Sequence, residues 1–266
     1  MGIGNMSHMK DPGVYKAALV VIGNEILSGR TQDTNTAWIA EKSNRHGIVL
    51  VEVRVVPDIE EKIIEAVNAL RHAVDYVFTT GGIGPTHDDI TAASIAKAFG
   101  VKLERNDEAF RMLEKHYGIE QITPPRAKMS FVPEGARLIP NPVSAAPGFA
   151  VENVYVMAGI PRIMQAMFDH VLSDIPSGSE VLSNTISCSL TESMVADSLS
   201  ALQKKNSDIE IGSYPHFRGG MLGLSLVLRS TDRVRLKIVT QDLVQMIHDH
   251  GGEAQALGLQ VPIEGL

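Results

Sequence analysis

Residues 76–91 read Tyr76-Val77-Phe78-Thr79-Thr80-Gly81-Gly82-Ile83-Gly84-Pro85-Thr86-His87-Asp88-Asp89-Ile90-Thr91. An aromatic and β-branched run gives way to three glycines in four positions, then to two acids, and an alanine-rich segment follows up to Gly100. That order predicts a strand over 76–80, a tight loop, and a helix over 91–99. Strands that cross over through helices build open α/β sheets, in which ligands bind beyond the carboxyl ends of the strands. Glycines let backbone N–H groups approach an anion, and the following helix N-terminus adds its dipole. No Lys-Ser/Thr pair follows the glycines, which excludes a P-loop, and the glycine spacing is not that of a dinucleotide fingerprint. A plain turn with Asp88 or Asp89 capping the helix accounts for one acid and for the glycines, but not for two adjacent carboxylates beside a phosphate-style loop.

Outward from this stretch the same alternation continues. Strands are predicted at 17–22, 48–56 and 154–157, with shorter extended pieces near 101–103, 137–139 and 149–152. Helices are predicted at 34–45, 59–71, 106–118 and 161–172, punctuated by Gly47, Pro57-Asp58, Gly118 and Pro161. The result is an α/β domain over 14–174, an open, mostly parallel sheet with helices on both faces. Ser173-Asp174-Ile175-Pro176-Ser177-Gly178-Ser179 is polar and broken by Pro and Gly, so a linker and protease-sensitive hinge is expected there. Beyond it, strand, helix, two strands and helix predict a small α+β domain over 180–253.

Composition narrows the function classes. The 266 residues carry 24 basic against 31 acidic side chains, a net charge of −7, and no Lys/Arg run, so no nucleic-acid partner is expected. No apolar run approaches the ~20 residues that span a bilayer, so no membrane role is expected. Residues 1–11 lack a basic stretch followed by an apolar core, which predicts a cytoplasmic protein, and Ser7-His8-Met9 is set aside as a cloning remnant. The single cysteine, Cys188, sits in an alternating apolar run and is read as a small core residue.

Other loops carry weaker signals. Gly23 to Asn35 holds an acid, amides and hydroxyls suited to a polar ligand, or an ordinary helix start capped by Asp33 or Thr34. Asp58 suits a cap for its own helix. Ala158-Gly159-Ile160-Pro161 offers a bare helix N-terminus. His248 and His250, two apart on a helix, diverge too far for a shared metal. His87 is read as a solvent-facing loop residue, Gly220-Met221-Leu222-Gly223 as a hairpin between strands, and Met164, Met167 and Phe168 as a helix face turned to the core.

Taken together, Thr80-Gly81-Gly82-Ile83-Gly84-Pro85 with Asp89 and Thr91, Val56-Pro57-Asp58, and Gly159-Ile160-Pro161 resemble the molybdopterin-binding domain of the MoaB/Mog and MoeA proteins. Gly23-Asn24-Glu25-Ile26-Leu27, Asp33-Thr34-Asn35 and Ala146-Pro147-Gly148-Phe149 are similar, more narrowly, to the N-terminal part of the competence/damage-inducible CinA family. The likeness covers about residues 16–173, and the unit after it is similar to the small domain CinA proteins carry next.

This resemblance implies a MoaB/Mog-like sheet and a small phosphate-bearing ligand, a nucleotide or molybdopterin. Its ligand contacts would come from Glu25, Asp33, Asn35, Thr80, Gly81, Gly82, Gly84, Pro85, Thr91, Pro147, Gly148, Gly159 and Pro161. Asp58 and Asp89 would be the catalytic acids and would hold Mg2+ or another divalent cation. Two further readings accompany it: a metal-dependent pyrophosphatase or adenylyl-transfer enzyme acting on ADP-ribose-like nucleotides, and a non-catalytic assembly module. A homo-oligomer is expected. Ser144-Ala145 departs from the Gly-Ser/Thr pair of relatives, and the deamidase activity of the CinA C-terminal domain is not expected of a chain ending at Leu266.

Overall fold

The computed structural model describes residues 13–218 and 221–263, which leaves Ser7-His8-Met9 and residues 219–220 of the expected hairpin outside the described residues. The chain divides after Gly178 into two compact units.

In the first unit, strand β1 (Tyr15–Ile22) is buried on six successive residues from Ala17, because both of its faces are covered. A single helical turn, α1 (Asn24–Leu27), precedes α2 (Asn35–Arg45), β2 (Ile48–Val56), α3 (Glu60–Arg71), β3 (Tyr76–Thr80) and α4 (Thr91–Phe99). Then come β4 (Leu103–Arg105), α5 (Asp107–Tyr117), a 3-10 turn (Ile119–Gln121), α6 (Pro124–Lys128), β5 (Phe131–Pro133), β6 (Arg137–Ile139), β7 (Gly148–Val151), β8 (Val154–Met157) and α7 (Pro161–Asp174). The sheet order is β2-β1-β3-β8-β7-β6, parallel through β8 and antiparallel at β7 and β6, while β4 and β5 form a separate pair.

Period-two alternation sends β1 side chains to two cores. Leu19 and Val21 join Phe78, Met157, Met164, Met167 and Phe168 on one face, and Val20 and Ile22 join Ile63, Val67, Ile95 and Val156 on the other. The methionines and phenylalanine of α7 therefore face the core as their spacing predicts.

Several boundaries differ from the sequence reading. Residues 24–27 and 124–128 are helical and 131–133 extended where loop is expected, and the strand near Val101 begins at Leu103. Helix α7 runs through Asp174, and Ile175 is buried in the core beneath it, so the first residues of the expected linker belong to the fold. Gly178 is fixed as well, donating its N–H to His46 O at 2.9 Å.

The second unit comprises β9 (Leu182–Cys188), α8 (Glu192–Lys205), β10 (Glu210–Arg218), β11 (Met221–Ser230), α9 (Arg233–Asp249) and β12 (Ala254–Leu259). Its antiparallel sheet has the order β10-β11-β9-β12. Strand β12 lies past residue 253, outside the expected domain, and gives little sequence signal because Ala-Gln-Ala-Leu-Gly-Leu is poor in β-branched residues. Buried Asn184 anchors the segment after β12, donating to Val261 O and accepting from Val261 N–H. Cys188 is buried and desolvation raises its thiol pKa, as suits a core residue. No helix among the described residues is long and apolar enough to cross a membrane.

Candidate functional site

The site grows from the end of β3. Gly81 donates its N–H to Met157 O at 3.0 Å and turns with φ +107, where an added Cβ would collide with the carbonyl oxygen of Ile22. Gly82 follows at φ +68, and a Cβ there would collide with the hydroxyl of Thr91. That buried hydroxyl donates to Gly81 O at 3.0 Å, and Thr91 N–H donates to Gly82 O at 3.0 Å. Thr91 thus fastens the loop to the start of α4. The N–H groups of Gly82, Ile83 and Gly84 have no hydrogen-bond partner among the described residues, and these three residues line a cleft of about 740 Å3.

Asp89 closes this loop. Its Oδ2 accepts from Thr86 N–H at 2.7 Å and lies 2.6 Å from Thr86 Oγ1, while its Oδ1 takes no hydrogen bond among the described residues. Asp89 lines the cleft and also a smaller cavity of about 50 Å3 beside it, shared with Gly82, Gly84 and Pro147. Neither acid caps α4, whose first turn is preceded by Ile90 without a side-chain cap, so the capping role expected of Asp88 or Asp89 is not found. Asp88 is held below the usual carboxylate range, first by its hydrogen bond from the Thr86 hydroxyl. His87 is exposed, as its loop position predicts.

The other acids divide between ligand-facing and structural places. Glu25 lines the cleft. Asp58 is absent from the lining and does not cap its own helix; its Oδ2 accepts from Asn24 N–H at 2.9 Å, across the strand ends, and so holds the turn that presents Glu25. Asp33 accepts from the N–H groups of Asn35 at 2.9 Å and Thr36 at 3.1 Å, which makes it the cap of α2 and not a lining residue. Asn35 is buried and reaches Gly159 O through Nδ2 at 2.8 Å, positioning the β8–α7 loop.

Gly159, Pro161 and Pro85 line the cleft, and the glycines of the two loops pack so closely that a Cβ on Gly159 would lie 3.3 Å from Gly81 Cα. Thr80 and Gly148, like Asp33, Asn35 and Thr91, lie outside the lining of the cleft. Thr80 is buried within the sheet between Val21 and Met157, behind the loop and outside the lining. Gly148 is required by packing, since a Cβ there would collide with Val156 O.

Of the remaining wall, sequence reasoning names Ser144 and Ala146 within family motifs and misses Asn141. Asn141 accepts from the N–H groups of Val143 and Ser144 at 3.0 and 3.1 Å and donates to Ser144 Oγ and Ala146 O at 2.7 and 2.8 Å. It builds the loop over 141–146, and Asn141-Pro142 is the turn signal that points to it. Tyr117, Arg126 and Met129 also line the cleft, the last two from a stretch that sequence alone leaves as loop. Within the Asn141 loop, Ala145 takes φ +63, a left-handed conformation unfavourable to a Cβ. Ala145→Gly is therefore expected to stabilise the chain by about 1 kcal/mol in urea unfolding, and a loss of stability would contradict the strain.

Residues 18–177 match the family described as a probable molybdopterin binding domain, and residues 180–254 match the middle domain of FAD synthase. A protein of Archaeoglobus fulgidus is 36% identical over 231 residues, which are 87% of this chain and 97% of that protein. A protein of Pyrobaculum arsenaticum is 42% identical over 160 residues, 58% of this chain and 60% of the other. Among solved structures, the protein CinA with unknown function from Thermoplasma acidophilum is 37% identical and aligns with a TM-score of 0.58 over 60% of this chain and 98% of its own.

Proposed function

The chain belongs to the family of the probable molybdopterin binding domain, and from that premise we propose that its first unit binds the phosphate of a pterin or a nucleotide together with Mg2+. The observation that carries this reading is the set of unspent N–H groups at Gly82, Ile83 and Gly84 in a cleft that Asp89 also lines. Backbone donors fixed in one geometry bind an oxyanion without reorganising. The protein's net charge of −7 calls for a cation between acid and phosphate.

The residues present fit a shared metal and not a fully protein-held one. No group of three or more His, Cys, Asp or Glu side chains among the described residues is placed to hold an ion. Mg2+ is ordinarily held by one or two carboxylates plus substrate phosphate oxygens, and Asp89 with its unspent Oδ1 supplies such a carboxylate. Glu25 is the second acid facing the cleft. When bound, the ion would neutralise charge on the phosphate. The chain's own groups do the rest: the loop orients the phosphate, Thr91 holds the loop, and Asp58 keeps Glu25 in reach.

A second reading, cleavage or transfer at a nucleotide anhydride, is favoured by the match of the second unit to the middle domain of FAD synthase, because FAD is itself such an anhydride. Thermal unfolding with ADP, ADP-ribose or molybdopterin, each with and without Mg2+, tests the shared claim. A ligand at a hundredfold excess over its Kd adds about 2.7 kcal/mol of stability. A Mg2+-dependent rise in Tm is expected for at least one of them, and no rise with any would overturn the reading.

A further inference from the structure

We propose that Arg126 is the specificity-determining cation of this cleft, and that it selects ligands carrying a second anionic group beyond the phosphate held at the glycine loop. The inference rests on the binding reading above and deepens it.

Arg126 lies on α6 and lines the same cleft as Gly81 to Gly84 and Asp89. Its guanidinium is already positioned, with Cζ 4.3 Å from the centre of the Tyr117 ring and Nη1 donating to Gln121 O at 2.7 Å. A side chain ordered before binding loses less freedom when it meets a ligand.

What Arg126 lacks is a carboxylate. Arg235 spends Nε and Nη2 on Asp208 at 2.7 and 3.0 Å, and Arg137 is paired with Asp174 at 2.5 Å. Among the described residues Arg126 has no ion pair, and only one of the five N–H bonds of its guanidinium has a partner, a neutral carbonyl. The cleft thus contains a held, uncompensated cation with donors left over, the arrangement that suits phosphate oxygens.

Lys128, two residues further on, does a different job. Its Nζ donates to Thr86 O at 2.6 Å, which ties α6 to the turn bearing Asp89. The relative placement of Arg126 and the loop is therefore fixed by a direct bond between their segments. Glu25 and Asp89 face the same space, so an anionic group lying away from the loop needs a positive partner, and Arg126 provides one. A monophosphate offers one anionic group, for the loop; a diphosphate offers a second, for Arg126.

The test is calorimetric titration of the full chain with ADP and with AMP in the presence of Mg2+, on wild type, Arg126→Gln and Arg126→Lys. For Arg126→Gln the affinity for ADP is expected to fall about tenfold or more, the worth of a charge-assisted hydrogen bond, while that for AMP changes less than about threefold. Arg126→Lys keeps the charge without the planar fork and should recover part of the loss, which also separates a charge effect from a folding defect. Equal losses for the two nucleotides, or no loss for ADP, would overturn the role of Arg126 while leaving the binding reading intact. Wild type binding neither nucleotide would overturn the role of Arg126 and the nucleotide form of the binding reading.

Discussion

Gly82→Ala is expected to cost about 2 kcal/mol of stability and to weaken binding of phosphate-bearing ligands at least tenfold, the combined effect of strain and a displaced hydroxyl. At φ +68 an alanine pays about 1–2 kcal/mol for the left-handed conformation. The new methyl also collides with Thr91 Oγ1, whose hydrogen bond to Gly81 O is worth about 1 kcal/mol. Displacing Thr91 shifts the loop that carries the unspent N–H groups of Gly82 and Ile83, and binding is expected to fall with it. In an ordinary turn of negative φ the same substitution would stabilise by about 0.4–1 kcal/mol, so the sign of the effect decides. Urea unfolding and calorimetry on the same sample read both numbers, and stability equal to wild type with unchanged affinity would remove the loop from the site.

Asp89→Asn isolates charge from geometry. An amide oxygen still accepts from Thr86 N–H, so stability should stay within about 1 kcal/mol of wild type. Loss of the negative charge removes the carboxylate proposed to share Mg2+ with the ligand, and affinity measured with Mg2+ should fall about a hundredfold or more, toward the value measured after chelation. A variant whose affinity and Mg2+ dependence match wild type would show that Asp89 only shapes the turn. A loss equally large in the absence of divalent cation would point to geometry and not metal.

These effects concern the part of the chain most legible from sequence. Tyr76 to Thr91 announces itself because each local rule agrees: a buried apolar run, glycines at positions of positive φ, and a helix closed by Gly100 at φ +67. Sequence does not supply the third dimension of the acids. Local spacing predicts that Asp58 caps the helix just after it, yet its carboxylate turns to Asn24 on a neighbouring strand end, a contact no local pattern encodes.

Asp33 behaves as local rules require and is spent as a cap. Thr80 and Gly148 belong to motifs that look functional, but the sheet decides their fate: burial on one, close approach of Val156 O on the other. Helix α6 escapes a sequence reading because Pro124-Pro125 looks like a breaker, whereas proline at a helix start costs nothing. Arg126 is hidden with it, since its stacking on Tyr117 depends on tertiary packing.

At the centre stands the proposal that the backbone of the glycine loop grips a phosphate. Backbone amide NMR of the full chain, titrated with ADP and Mg2+, addresses it directly, since hydrogen bonding to an anion moves amide protons downfield. The resonances of Gly82, Ile83 and Gly84 should shift downfield together along one saturable curve, and Asp89→Asn should move that curve to about a hundredfold higher ADP concentration or beyond. Saturable shifts elsewhere in the chain with these three amides unmoved would contradict it.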